Sequence, residues 1–350
     1  MLHLPIANAD VNGLALLMLG FFVGILGGFF GIGGAFIVTP ALNIFGFPMA
    51  FAIGTDIAHI FGKSIVATFK HALLRHVDFK LGLIMGLLGM YGVSLGKQSI
   101  LYLEKIGQVG PTVRIVYIIL LFALGIFMIK DYYHYSRLNE EQKINAERNK
   151  SKLVQWVQGL RFGPYIGFPT SNVKAISIWV IVFLSVFSGF ISGFLGVGGG
   201  FVRVPILIYF LGLPTVMAVG TDLFAILITN SWGAYIYALS GKVEIIGALV
   251  MLVGAAVGAQ IGSVATAYIK GMKIRLYFGI TLLLAGAAVL LKQMLLPTLA
   301  GYLMLSSAAV LSGIIIYMLI KSAYAQAGLT NPSDHKEFSK QKLPQRIEKG

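Results

Sequence analysis

Glycine, threonine and aspartate recur at matched places in two strongly apolar parts of the chain. The first part contains the stretch GFFGIGGAFIVTPAL (28–42), and the second contains GFLGVGGGFVRVPIL (193–207). Each stretch is followed by a Gly-Thr-Asp triplet, at 54–56 and at 220–222. Unwound glycine-rich backbone exposes its N–H groups, and such groups at a helix start form a cradle for an anion. We therefore expect two anion cradles, close to where the two parts of the chain meet.

The glycine clusters supply the backbone of these expected cradles. The first comprises Gly31, Gly33 and Gly34, and the second comprises Gly196, Gly198, Gly199 and Gly200. The alternative is that these small residues only let helices pack closely. Duplication of the cluster, with a proline after each copy, favours a binding role. Neither cluster is a nucleotide motif, because no Gly-Lys-Ser/Thr follows and the third glycine of a dinucleotide fingerprint is missing.

The Gly-Thr-Asp triplets add polar side chains beside each cluster. Thr55 and Thr221 can donate a hydrogen bond to an anion oxygen, and we expect them in the substrate site. Asp56 and Asp222 can carry a proton, or can instead cap a helix start. Both interpretations of the two aspartates stay open.

A second set of ionisable residues lies on one face of the helix that follows the first cluster. Asp56, His59 and Lys63 stand at positions i, i+3 and i+7. Ionisable groups inside a membrane segment are costly and usually functional. A carboxylate, an imidazole and an ammonium in this order suggest a proton path, while an internal charge pair that fixes the helix position is the alternative. The second part of the chain keeps only the aspartate.

One arginine follows the second cluster without a counterpart in the first. Arg203 lies three residues after Gly200, and Val38 occupies the matching place. Arginine can bind a substrate oxygen bidentately, or its long side chain can reach the membrane interface. Ser64 and Asn230 stand at matching positions and are candidates for polar lining.

Composition defines the class of protein. Of 350 residues 57% are hydrophobic and only 11% are charged, with a mean hydropathy of +0.85. A soluble domain has about 25% charged residues, and many apolar runs here reach the length of about 18 residues that spans a bilayer. We predict an all-α polytopic protein of the cytoplasmic (inner) membrane. The chain has no cysteine, which excludes disulfides and thiolate metal sites, and we predict no metal, no cofactor and no catalytic residue.

The spans predict two repeats with glycine-broken helices. In order, the chain comprises a first transmembrane repeat (11–129), a cytoplasmic polar loop (130–175), a second transmembrane repeat (176–292), an extra C-terminal transmembrane helix (293–320) and a basic cytoplasmic tail (321–350). Each repeat has one span, one short element and three more spans. The short elements, 35–45 and 201–211, either cross the membrane or re-enter it. Five elements per repeat invert the second repeat relative to the first, a common plan of transporters.

Basic residues support this inversion. If the polar loop is inside, the basic stretches 70–80 and 270–275 and the tail also fall inside, as positively charged loops do. The net charge of +14 is thereby explained without a nucleic-acid partner. Three cations run against the trend, because Lys97, Lys105 and Arg114 fall at or near the outer side.

The doubled G-x-G-G…P followed by A-x-G-T-D, in halves joined by a polar loop, resembles the TauE/SafE sulfite exporter family. The resemblance covers about 13–129 and 176–320. It implies transport of sulfite or organosulfonates across the cytoplasmic membrane, usually outward. The glycine positions of the family match Gly31, Gly33, Gly34, Gly196, Gly198 and Gly199. Together with small-residue helix faces, the resemblance hints at a homodimer.

We therefore predict a secondary transporter that exports a small sulfur-containing anion, sulfite or an organosulfonate. No ATP-binding motif is present, so a gradient or the membrane potential must supply the energy. The predicted partners are this anion and membrane lipid. The alternatives are a transporter of another small anion, an assembly subunit, and a membrane-embedded enzyme with Asp56 and His59 as acid and base. The enzyme predicts a single asymmetric cluster, whereas the strongest signal in the sequence is two-fold.

Overall fold

The structure is a computed structural model that describes most of the chain as α-helix. The described residues are 2–30, 35–137, 152–160, 162–268 and 271–326. Within these ranges, nine helices are long and apolar enough to cross a bilayer. The predicted all-α polytopic membrane fold is confirmed.

The first repeat consists of five helices preceded by a short hairpin. The hairpin pairs β1 (Leu2–Leu4) with β2 (Ala9–Val11), and the helices are α1 (Gly13–Phe30), α2 (Ala35–Ile44), α3 (Met49–Leu73), α4 (Phe79–Lys105) and α5 (Val109–Ser136). The short helix α2 has 10 residues, so it is about 15 Å long and spans only half of a bilayer core.

The second repeat has the same order of elements after a small connecting region. That region contains α6 (Lys152–Gly159) and a hairpin of β3 (Tyr165–Phe168) and β4 (Val173–Ser177). The helices of the repeat are α7 (Ile178–Leu195), α8 (Gly200–Tyr209), α9 (Thr215–Ala238), α10 (Ile245–Tyr268) and α11 (Gly271–Gln293). A last helix, α12 (Pro297–Gln326), packs against α1, α2, α10 and α11.

Proline marks the same points in both repeats. Pro48 precedes α3 and Pro214 precedes α9, each with φ −56° and ψ 141°. Proline restricts φ and cannot donate to a preceding helix turn, so it separates the short helix from the long one. Pro40 and Pro205 lie inside the short helices themselves, which weakens their own hydrogen bonding and keeps them dependent on packing.

The two repeats are inverted, as the number of elements predicts. The equivalent helices α3 and α9 cross antiparallel, because Ile57 contacts the position of Gly233 while Tyr237 contacts that of Gly54. Helices α5 and α11, also equivalent, run antiparallel as well. Equivalent helices that run antiparallel side by side must be related by a two-fold rotation axis perpendicular to both helices. That axis lies in the plane of the membrane.

Each repeat contributes one helix to the other. Helix α1 packs along α10, and α7 packs along α4. A Cβ at Gly92 would lie 2.1 Å from the backbone oxygen of Val186, and one at Gly258 would lie 2.1 Å from that of Phe21. The small-residue faces are therefore filled inside the chain. They give no support to a homodimer.

Some helices end at other residues than the sequence analysis predicts. Helix α5 continues to Ser136 and α12 continues to Gln326, both into segments that we expected to be polar loop or tail. The N-terminal segment forms a hairpin whose Ile6 and Ala7 N–H groups bind the Glu244 carboxylate. The first glycine cluster falls at 31–34, outside the described residues.

Inversion has a direct test at equivalent positions. Arg75 follows α3 and Gly241 follows α9, and both adopt a left-handed backbone, with φ of 58° and 65°. We expect Arg75→Cys to react with a thiol reagent only from the cytoplasm and Gly241→Cys only from outside, because the repeats are inverted. The measurement is labelling of intact cells and of inside-out vesicles with a maleimide that cannot cross the membrane. Labelling of both variants from the same side would show the inverted arrangement to be wrong.

Candidate functional site

The second glycine cluster breaks the helical backbone in the middle of the protein. Helix α7 ends at Leu195, and α8 begins at Gly200. Between them Gly196, Gly198 and Gly199 have φ of 80°, 68° and 76°, a left-handed region that favours glycine. All these residues are buried. The predicted interruption is therefore present, and only glycine fits it without strain.

The first glycine cluster has matching flanks. Gly31, Gly33 and Gly34 lie outside the described residues. Helix α1 ends at Phe30 and α2 begins at Ala35, the same pattern of a long helix followed by a short one. Their part in a cradle stays a prediction.

Two buried donor groups converge on Gly198 and Gly199. A Cβ on Gly198 would lie 3.0 Å from Nδ2 of Asn230, and a Cβ on Gly199 would lie 3.2 Å from Nη2 of Arg203. Neither nitrogen has a hydrogen-bond partner among the residues that the structure describes, and both are buried. A buried donor without a partner is costly, about 1–3 kcal/mol and more for a charged group. The two donors are placed to bind a hydrogen-bond acceptor, such as an anion oxygen, that lies against the glycine backbone.

Neighbouring side chains fix both donors in this orientation. Arg203 is fully buried and so does not extend to the membrane interface. Its Nε donates to Oγ of Ser188 (3.1 Å), and its Nη1 donates to Oδ1 of Asp222 (3.2 Å). The Ser192 hydroxyl donates to Oδ1 of Asn230 (3.2 Å), which leaves the amide NH₂ free on the other side. These contacts leave one donor nitrogen unpaired on each side chain.

Asp222 is the charged partner of Arg203. Both side chains are fully buried and form an ion pair, and Oδ2 of Asp222 has no partner among the described residues. An oxyanion that binds Arg203 would approach this carboxylate. Like charges in a poorly solvated site repel strongly, and protonation of the carboxylate removes the repulsion. A proton on Asp222 during transport stays a prediction.

The ionisable face of α3 is also buried. The side chains of Asp56, His59 and Lys63 are at most 1% exposed. Oδ2 of Asp56 accepts a hydrogen bond from the Thr39 hydroxyl (2.8 Å), and Oδ1 lies 3.4 Å from Nδ1 of His59. Among the described residues, Nε2 of His59 and Nζ of Lys63 have no hydrogen-bond partner. The Lys63 ammonium is a further donor for an anion or a water molecule, whereas Nε2 of His59 donates or accepts according to the tautomer of the ring.

The short helix of each repeat holds the aspartate of that repeat. Thr39 on α2 binds Asp56, and Arg203 on α8 binds Asp222. Thr39 also faces the other repeat, because a Cβ on Gly196 would lie 2.8 Å from its Oγ1. The two halves of the site therefore meet at the second glycine cluster. Thr39 is a site residue that the sequence analysis did not single out.

The threonines of the triplets join the two repeats. Oγ1 of Thr55 accepts the N–H of Glu244 (2.9 Å), and Oγ1 of Thr221 accepts the N–H of Asp78 (2.9 Å). Glu244 directly precedes α10 and Asp78 directly precedes α4, so each threonine satisfies a backbone donor at a helix start of the other repeat. In each of these two contacts the hydroxyl oxygen is the hydrogen-bond acceptor. Donation of the hydroxyl proton to a substrate stays a prediction.

Inverted repeats around a buried site of unpartnered donors, at an interruption of the membrane helices, define a membrane transporter. The chain belongs to the family described as "Sulfite exporter TauE/SafE", which matches residues 16–289. Membership of this transporter family argues against the membrane enzyme considered as an alternative.

Several curated relatives carry the name of probable membrane transporter protein. MJ0441 of Methanocaldococcus jannaschii is 29% identical over 199 residues, which cover 55% of this chain and 60% of that protein. YunE of Bacillus subtilis is 25% identical over 281 residues, 77% of this chain and 94% of that protein. A relative from Xylella fastidiosa strain 9a5c is 25% identical over 248 residues, 70% of this chain and 80% of that protein. No solved structure matches.

The cradle can be tested with two glycines that share a backbone conformation. Gly198→Ala places a methyl group 3.0 Å from Nδ2 of Asn230, whereas Gly241→Ala, at a similar φ, meets nothing within 4 Å. Both changes cost about 1–2 kcal/mol because alanine disfavours the left-handed region. Only Gly198→Ala also fills the space beside the donors, so we expect it alone to lower anion flux, about ten-fold or more.

The measurement is anion flux into liposomes, normalised to the amount of folded protein seen by size-exclusion chromatography. Equal flux by the two variants would favour the packing interpretation of the glycine cluster over a binding role.

Proposed function

We propose that this protein is a secondary transporter that exports a small sulfur-containing oxyanion, sulfite or an organosulfonate, across the cytoplasmic membrane. The observation that carries the proposal is the pair of buried, unpartnered donors on Arg203 and Asn230 beside Gly198 and Gly199. The planar guanidinium presents N–H groups in a geometry that matches an oxyanion. The description of the family supports sulfite within this chemical class.

The membrane potential supplies a direction for this transport. The cell interior is electrically negative relative to the outside. Efflux of one negative charge then gains about 2.3 kcal/mol per 100 mV. Export therefore needs no nucleotide, in keeping with the lack of a nucleotide motif in the sequence.

The ion pair of Arg203 and Asp222 supplies a means of coupling. The entering oxyanion and the Asp222 carboxylate compete for the same guanidinium. A proton on Asp222 weakens its hold on Arg203 and removes its repulsion of the anion. In this proposal the protein binds an anion and a proton together, so that the dianion SO₃²⁻ still carries one net negative charge outward and the membrane potential still drives its export. Asp56 with His59 is a second place where the proton can reside.

The function is tested with purified protein in liposomes that contain no other protein. We expect uptake of radiolabelled sulfite well above that of empty liposomes, with sulfite preferred in competition with isethionate, sulfate, phosphate and chloride. The double variant Arg203→Gln/Asp222→Asn should lose about ten-fold or more of this flux. It removes both charges together, because removal of one partner alone from a buried ion pair costs about 3–5 kcal/mol.

A matched control is Lys105→Gln, which removes one exposed cation far along α4 from the site. This variant should transport as the parent does. No flux of any anion by the parent protein, or full flux by the double variant, would refute the proposed function.

Coupling predicts a particular dependence on pH. If Asp222 takes up a proton when the anion binds, the apparent affinity for the anion rises as the pH falls. Asp222→Asn cannot titrate, so we expect its affinity to stay constant over the range in which that of the parent changes. The measurement is the KM for isethionate, whose sulfonate group stays ionised throughout, in liposomes between about pH 5.5 and 8.5, with the imposed pH gradient and voltage varied independently.

Asp56→Asn is the comparison variant, since asparagine can still accept the hydrogen bond of Thr39. If Asp56 carries the proton, this variant loses the pH dependence and Asp222→Asn keeps it. If both folded variants keep the slope of the parent protein, neither aspartate couples proton and anion.

A further inference from the structure

A surface pocket lies where α2 and α11 end and where α3 and α5 begin. It is a shallow cleft that is open to the surroundings. The residues of its wall that matter here are Pro40, Asn43, Ile44, Arg114, Tyr117 and Lys292. Two cations thus flank one small, mostly apolar cleft at the end of the helices.

Neither cation of the pocket is neutralised. Within the described part of the chain, no carboxylate lies within ion-pair distance of Arg114 or Lys292. Arg114 has only neutral acceptors, because its Nε donates to Oε1 of Gln293 (2.7 Å) and its Nη1 contacts Oδ1 of Asn43 (3.4 Å). Two like charges that share a partly buried cavity repel each other. An anion between them turns this repulsion into attraction.

The symmetry-related place at the other end of α5 and α11 carries an ion pair instead. Helices α5 and α11 align without gaps, which makes Arg114 equivalent to Arg275 and Asp131 equivalent to Lys292. Nη1 of Arg275 binds Oδ2 of Asp131 (3.1 Å), and the Tyr209 hydroxyl donates to the same oxygen (2.6 Å). One end of this helix pair therefore carries arginine and aspartate joined in a salt bridge. The other end carries arginine and lysine beside the pocket.

One side chain links the wall of the pocket to the central site. Tyr117 forms part of the wall and is itself buried. Its hydroxyl donates to the backbone oxygen of Leu195 (2.7 Å), the residue before Gly196. The same hydroxyl interacts with Thr39, which binds Asp56. One tyrosine thus contacts both the pocket and the residue that precedes the glycine cluster.

The pocket lies at the end of the protein opposite to the basic loops. Helix α5 begins there and runs towards the polar loop, and the positive-inside rule places that loop in the cytoplasm. Arg114 is one of the cations that run against the rule. A binding role at the outer face explains why a cation is placed there.

We propose that this pocket is a second binding site for a small oxyanion, at the outer mouth of the transport path. Arg114 and Lys292 bind the anion, and Tyr117 closes the way to the central site. The identity of the anion rests on the proposed function. Binding of an anion in the pocket does not require that the protein transports it.

The test uses a single cysteine in the pocket wall, since the natural chain has none. Purified full-length Ile44→Cys protein is placed in liposomes and labelled with a sulfonated maleimide and with an uncharged maleimide. The cation pair should speed labelling by the anionic reagent relative to the neutral one. Methanesulfonate and sulfate, which do not react with maleimides, should slow labelling by occupying the pocket.

Two further variants in the same background test the charges. Lys292→Asp recreates the pairing of Arg275 with Asp131, so it should lower the ratio of anionic to neutral labelling about five-fold and abolish protection by both anions. Lys105→Gln removes an exposed cation that does not line the pocket, and it should behave as the parent. Protection that persists in Lys292→Asp, or no protection in the parent, overturns the proposal.

An anionic lipid headgroup has the same chemistry as the free anion, and the lipid composition separates the two. A free anion protects the cysteine in liposomes of phosphatidylcholine alone. If the cysteine is protected only when phosphatidylglycerol is present, and sulfate has no effect, the pocket binds lipid and the proposal is wrong. Labelling needs no flux, so protection without sulfite transport would refute the proposed function and leave the pocket an anion site.

Discussion

Irregular backbone at membrane depth must be enclosed by protein, because lipid offers no partner for its N–H and C=O groups. The glycine cluster at 196–199 meets this condition, since every residue in it is buried. The enclosure depends on close approach of the helices around it, and this approach depends on glycine. At Gly92 and Gly258 a single methyl group would lie 2.1 Å from a backbone oxygen of the neighbouring helix. The packing of α1 on α10 and of α7 on α4 is thus what makes an interrupted helix tolerable.

Charges inside this enclosure follow a related rule. A buried charge needs a partner, and each repeat provides one from its own short helix. Arg203 neutralises Asp222, while Thr39 only donates a hydrogen bond to Asp56. The first repeat therefore needs another cation, and Lys63 on the same helix face is the nearest along the chain. The fold has an approximate two-fold symmetry, but the buried ionisable residues of its two halves differ.

Much of this fold could be predicted from the sequence. The repeated glycine clusters predicted the interruptions, and Pro48 and Pro214 predicted where the long helices restart. These features are local, so they act through backbone conformation alone. The inversion follows from counting elements, and the antiparallel crossing of α3 and α9 confirms it.

The partners of the site residues could not be predicted in the same way. Thr55 binds Glu244 and Thr221 binds Asp78, which are contacts between repeats that no spacing in the chain reveals. The contacts of Thr39 also depend on packing between distant parts of the chain. A single polar residue in the apolar stretch AFIVTPAL was nevertheless a signal that Thr39 has a role.

Serines on α7 gave a similar signal that was missed. Ser185, Ser188 and Ser192 lie on one face of an otherwise apolar helix. The last two of them orient Arg203 and Asn230. A polar stripe on a membrane helix indicates a face turned away from lipid. The small-residue faces could be interpreted only in part. Their pattern predicts close helix packing, but it does not tell whether the partner helix belongs to the same chain.

Differences between equivalent positions bear on the direction of transport. Two identical inverted repeats would give inward-open and outward-open states of equal energy, since each state is the other with the repeats exchanged. The substitutions that break this symmetry lie at both ends of the path. His71 contacts the backbone oxygen of Gly28 (3.0 Å) where Tyr237 contacts that of Gly193 (2.6 Å).

The ends of α5 and α11 next to the polar loop are held by a salt bridge that the opposite ends of these two helices lack. Arg275 and Asp131 must separate before α5 and α11 can part there, whereas the matched Arg114 and Lys292 repel each other. Among the described residues, parting α5 from α11 at the end of Arg114 and Lys292 therefore breaks no ion pair. In the site that we propose, an anion bound between Arg114 and Lys292 opposes their repulsion, so the anion concentration outside the cell acts on the balance between the two states.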